Sequence, residues 1–78
     1  MEITADQTLD AQGLVCPEPL MLARNQLRGM AGGAVLHILA TDPSTERDFD
    51  NLCRFMGHEM VRKSVDGEPL EYWIRRKP

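Results

Sequence analysis

Apolar residues recur along this chain with different spacings, and each spacing marks an element. Leu20, Ala23, Leu27 and Met30 fall three or four positions apart, the stripe of an amphipathic helix. That helix opens after Cys16, with Pro17 at its first position, and is stopped by Gly29 and the Gly32-Gly33 pair. Thr45, Phe49, Leu52 and Met56 form a second stripe, with Arg47, Asn51 and Arg54 opposite and Gly57 as a left-handed stop. Asp42 before Pro43 is a good N-cap for this helix, and Glu46 and Asp48 place negative charge near its positive end.

Between the two stripes, Ala34-Val35-Leu36-His37-Ile38-Leu39-Ala40 is almost continuously apolar and rich in branched residues, so it predicts a central strand. Gln7 to Ala11 predicts a short first strand ending near Gly13. His58 to Val65 and Leu70 to Arg76 allow alternation, and Asp66-Gly67 between them is a strong hairpin signal. The order is β-α-β-α-β-β. Each helix has a single apolar face, so both pack on the same side of one sheet: a two-layer α/β (α+β) sandwich with a four-stranded mixed sheet whose other face is open. The basic end, Arg75-Arg76-Lys77-Pro78, is expected to fray.

Composition narrows the possible functions. Seventy-eight residues, 42% apolar and 27% charged, suit one soluble domain spanning 1–78 with a thin margin of stability. With 9 Lys and Arg against 12 Asp and Glu, the net charge is −3, which offers phosphate no domain-wide attraction and argues against tight nucleic-acid binding. No apolar run reaches the ~20 residues of a membrane span. The acidic opening Met1 to Asp6 lacks the pattern of a signal peptide, so a cytoplasmic location is expected. Cys16 and Cys53, with His37 and His58, lack the short spacings of a metal or dithiol site, so no metal and no cofactor are expected.

Cys16-Pro17-Glu18-Pro19 is where the chemistry concentrates. A cysteine at a helix start meets unpaired N–H groups and the positive end of the helix dipole, which favour thiolate. Pro17 and Pro19 have no N–H, which leaves Glu18 as the donor among the first helical residues, and the Glu18 charge opposes ionisation. The expected pKa is therefore modestly lowered, to around 6.5–8. Read from the residues alone, Cys16 is equally a small buried residue ahead of a proline-initiated helix. Cys53 lies on the shoulder of the second apolar stripe and is expected to be buried. Arg24 and Arg28, one turn apart on the first helix, either meet an acidic partner near Cys16 or are simply solvated. Trp73 points to the open sheet face if Leu70, Tyr72 and Ile74 face the helices; it is then a contact surface, or is covered by the N-terminal residues or Met60. His58 after Gly57 is expected to cap the helix C-terminus as a partly charged imidazole, and His37 carries no signal beyond packing.

The stretch Leu9-Asp10-Ala11-Gln12-Gly13-Leu14-Val15-Cys16-Pro17-Glu18-Pro19 resembles the signature of the TusA (SirA-like) sulfur-carrier family, whose members share Cys-Pro-x-Pro at the start of the first helix. Thr41-Asp42-Pro43 and Cys53-Arg54-Phe55-Met56-Gly57-His58-Glu59 extend the resemblance, in the right order, over nearly the whole chain. It implies that Cys16 carries a persulfide sulfur taken from a cysteine desulfurase and passed to a downstream relay protein, toward 2-thiolation of the tRNA wobble uridine. Val15 departs from the pattern: the family commonly has Arg there, so a nearby cation is missing. Relatives also serve molybdenum-cofactor, selenium and dissimilatory sulfur pathways. The reading of another class is a non-catalytic binding or regulatory module, since the same two-layer arrangement resembles the C-terminal domain of a translation initiation factor.

Overall fold

The computed structural model describes residues 4–78; the part of the acidic opening formed by residues 1–3 lies outside the described residues. The elements follow the expected order: β1 (Gln7–Ala11), α1 (Glu18–Arg28), β2 (Val35–Ala40), α2 (Thr45–Met56), β3 (Glu59–Ser64) and β4 (Leu70–Arg75). The sheet order is β1-β2-β4-β3. β1 runs parallel to β2, with Leu9 opposite Ile38, and β4 runs antiparallel to both β2 and β3. The sheet is therefore mixed, as expected, because α1 returns the chain for a parallel neighbour while the last two strands form a hairpin.

The pleat sorts side chains between the two faces. Leu36, Ile38, Ala40, Tyr72 and Ile74 are buried with Ala23, Leu27, Phe49, Leu52 and Cys53 of the helices in one core. Inside it, Phe49 meets the Tyr72 ring edge-on, with centroids 4.9 Å apart. Tyr72 and Thr45 are polar residues within this packing, and their hydroxyls satisfy one another at 2.8 Å. Thr45 Oγ1 donates onward to the Asp42 carbonyl at 2.7 Å, so the Tyr72 hydroxyl is the donor to Thr45. This chain links the sheet to the turn that leads into α2.

Boundaries differ from expectation where proline or a side chain intervenes. α1 begins at Glu18, with Pro17 in the N-cap position and Pro19 inside the first turn. The regular ladder of α2 begins at Thr45; Asp42 caps the tight turn before it, its Oδ1 accepting from Ser44 N–H and Ser44 Oγ at 2.9 Å each. The hairpin at Asp66-Gly67 forms as expected. Residues 65–69 form the connection, since Pro69 has no N–H to give the ladder and pairing resumes at Leu70. A bulge at Val61 shifts the β3 register, so that Arg62 faces Trp73 on the open side while Lys63 turns to α2 and bonds Asp50 and Glu46 at 2.9 Å.

The chain end does not fray. Arg76 exchanges backbone bonds of 2.8 Å with Ala34 and Gly33, and its Nε donates to the Leu27 carbonyl at 2.7 Å, a cation at the C-terminal end of α1. Pro78 lies against Gly32 so closely that a Cβ there would sit 2.9 Å from its Cα. Gly57 ends α2 with φ 76°, as expected, but His58 is not a charged cap. Its Nδ1 accepts from the Lys77 N–H at 3.0 Å, which requires that nitrogen to be unprotonated. Burial, and then the charges of Lys77 and Arg76, hold its pKa below the ordinary value.

Protonation of His58 therefore favours the unfolded chain. Its contribution is full above the unfolded imidazole value of about 6.5 and is lost as pH falls through the lower folded value. Thermal melts from pH 7.5 to 5 should show the gap in Tm between the wild type and His58→Gln narrowing toward pH 5; a constant gap would show that the Lys77 bond does not depend on the neutral ring.

Candidate functional site

The loops leaving the C-terminal ends of the parallel pair β1 and β2 meet and are tied together by side chains. Gly13 N–H donates to Thr41 Oγ1 at 2.9 Å, and Cys16 N–H donates to Asp42 Oδ2 at 2.8 Å. Asp42 thus serves the turn before α2 with one oxygen and the Cys16 loop with the other. Those N–H bonds, Ser44 first and Cys16 second, hold its carboxyl below the usual range, and it stays ionised.

Cys16 is exposed at the head of α1 and Cys53 is buried in α2, as the stripe implied. Burial, and then the charge of Asp50, push the Cys53 thiol up to about 11, which leaves it inert at neutral pH.

The expected lowering of the Cys16 pKa is overturned: it is raised. The first cause is the neighbouring Asp48 carboxylate, followed by lost solvation; Asp42 adds a smaller repulsion. The nearby Ser44 works the other way, but its one hydroxyl proton is directed at Asp42 Oδ1. The donor expected at the helix start is already spent, since Glu18 N–H bonds the Val15 carbonyl at 2.9 Å. In the sequence Asp48 is only helix-start charge on α2. Its meeting with Cys16 depends on the docking of two loops, which the linear spacing does not encode.

Beside the cysteine, Leu20, Met21 and Arg24 of α1 and Asp48, Leu52, Phe55 and Met56 of α2 line an open groove of about 230 Å³. Its rim is apolar for a surface feature: Phe55 is 77% exposed and Met21 49%, and Val15 next to the cysteine is 64% exposed. Arg24 lines this groove, and Arg28 is exposed on the same helix. Trp73 lies on the opposite sheet face, as the alternation implied. There it stacks on His37 with ring centroids 4.5 Å apart, under the Arg62 guanidinium, and His37 Nε2 bonds Glu71 at 2.9 Å. His37 thus does more than fill space, although it belongs to no part of the cysteine site.

Iodoacetamide alkylation of Cys16 should titrate with a midpoint above the ordinary thiol value of about 8.5. Val15→Arg, which puts a cation beside the sulfur, should lower that midpoint; a wild-type midpoint near 7 would contradict the electrostatics described.

Comparison with known proteins agrees with this architecture and with the motif. The chain matches a solved SirA-like protein from Desulfitobacterium hafniense with a TM-score of 0.80 over 92% of this chain and 99% of that one, at 24% identity, a likeness of fold. Proteins named sulfur carrier protein TusA are similar throughout: one from Pseudomonas putida is 46% identical over 97% of this chain and 95% of its own length. Another, from Pseudomonas aeruginosa, is 47% identical over 99% and 98%. The model of the family described as sulfurtransferase TusA matches residues 7–76, and the chain belongs to that family.

Proposed function

We propose that this protein is a sulfur carrier: Cys16 takes a sulfane sulfur from the persulfide of a cysteine desulfurase, holds it as its own persulfide, and gives it to a downstream relay protein, on a route toward 2-thiolation of the tRNA wobble uridine. The observation that carries this reading is an exposed thiol at the tip of a loop pinned by Asp42, within the Cys-Pro-Glu-Pro motif of a chain 46% identical to a sulfur carrier. Transfer between proteins needs a sulfur that can enter another active site, and a pinned loop presents it without a large ordering cost.

Loading is an exchange with no net redox change. The Cys16 sulfur attacks the outer sulfur of the donor persulfide, one S–S bond forms as another breaks, and the donor cysteine leaves as a thiolate that takes up the proton lost by Cys16. Unloading repeats the exchange with Cys16 as the leaving group. A carrier that meets two partners in turn binds each weakly, and the groove between α1 and α2 supplies a small apolar seat beside the sulfur. Arg24 and Arg28 steer the approach of an acidic surface.

Incubation with a desulfurase and cysteine, followed by intact-mass measurement, should add one sulfur, about 32 Da, to the wild type and to Cys53→Ser but not to Cys16→Ser. Ser preserves the size of the residue, and far-UV circular dichroism separates lost chemistry from lost fold. Labelling of Cys16→Ser would remove Cys16 from the assignment.

Replacing both arginines, Arg24→Glu with Arg28→Glu, should slow loading and flatten its salt dependence. Loading at the wild-type rate at low salt would move docking to another surface, with the Trp73 face next in line.

A further inference from the structure

We infer that the hollow between the start of α2 and the β3–β4 connection seats a basic side chain of the protein that takes the sulfur from Cys16, so that donor and acceptor dock on flanks of opposite charge; the inference rests on the sulfur-carrier reading. The hollow, of about 260 Å³, is lined by Thr41 and Pro43 of the β2–α2 loop, Glu46 of α2, Val65 and Glu68 of the connection, and Leu70 of β4. It shares no lining residue with the groove between the helices. Thr41 and Pro43 stand on either side of Asp42, whose Oδ2 receives the Cys16 N–H, so the hollow borders the loop that pins the cysteine.

The charges of the hollow are not balanced within the chain. Lys63 bonds both Glu46 and Asp50 at 2.9 Å, so one cation answers two carboxylates and a negative charge is left over beside the wall. Glu68 is exposed and takes part in no ion pair among the described residues. Pro43, Val65 and Leu70 complete the lining with apolar surface, which suits the methylene stem of a lysine or arginine whose charged head stays at the rim beside Glu46 and Glu68. The helix flank instead carries Arg24 and Arg28, one turn apart, which suit an acidic surface. A surface acidic enough to meet those arginines is repelled by Glu46 and Glu68, so the second flank belongs to the second partner.

Butylguanidinium chloride is the probe for the free protein, with sodium chloride as the ionic control and amide NMR as the readout. The amides of Thr41, Glu46, Val65 and Leu70 should shift saturably with butylguanidinium and not with the salt. Glu68→Lys should weaken that binding about two- to fivefold, the span of an exposed charge pair. Shifts that do not saturate, or that are the same in Glu68→Lys, would show that the hollow takes no basic group. Transfer is read by loading Cys16 with radioactive sulfur from the desulfurase and following the label into the protein fraction of a desalted cell extract. Relative to loading, discharge from Glu68→Lys should slow by about threefold or more at low salt. Glu59→Lys, the same charge change at the end of β3 away from the connection, should leave that ratio at the wild-type value. Loading slowed as much as discharge in Glu68→Lys would place the hollow under the donor, and discharge at the wild-type rate would remove the acceptor from it; either overturns the proposal. A wild type that never loads would sink the carrier reading and the sulfur acceptor with it, whereas the titration, which needs no sulfur, would still report whether the hollow takes a basic group.

Discussion

The Asp42 carboxylate is the interaction on which the arrangement of this molecule turns. One oxygen receives the Cys16 N–H and the other receives Ser44, so a single side chain joins the entrance of α1 to the entrance of α2. Behind it, the Tyr72 and Thr45 hydroxyls connect its carbonyl to the core face of the sheet. An ionised acceptor of several N–H bonds is worth more than neutral ones, but it places a negative charge beside a thiol. The same group therefore orients the cysteine and discourages its ionisation, and the chemistry of the site has to work within that conflict.

The position of the site follows from the topology. In a sheet containing a parallel pair, the crossover loops depart from the carboxyl ends of the strands, and side chains from successive loops converge there. β1 and β2 are that pair, and Cys16, Thr41 and Asp42 are the residues their loops deliver. The antiparallel half of the sheet does different work. It completes the floor beneath α2, and through Arg76 and His58 it fastens the chain end to the opposite end of both helices.

Much of this was legible in the sequence because the cues are local. The stripes of α1 and α2, the branched run of β2 and the alternation of β4 each report which face is buried, and they report it correctly. Cys16 could be singled out because prolines and a helix start leave a mark within four residues. What was not legible depends on contacts between distant segments. The raised Cys16 pKa comes from Asp48, 32 positions away, and the firmness of the basic tail comes from Leu27, Gly32 and Ala34. The hairpin at Asp66-Gly67 was legible for the same local reason, and Pro69, which has no ladder donor, holds the resumption of pairing back to Leu70.

Trp73 is the sole tryptophan of the chain, and its ring lies flat against His37 on the sheet face away from the cysteine. Intrinsic fluorescence at its wavelengths is thus confined to one wall of the molecule. The emission is consequently a built-in gauge of sheet integrity, reporting from the side away from the cysteine. In any titration of this protein with a partner, a change in that signal marks an event on the uncovered sheet, and silence is compatible with full occupancy at the helices.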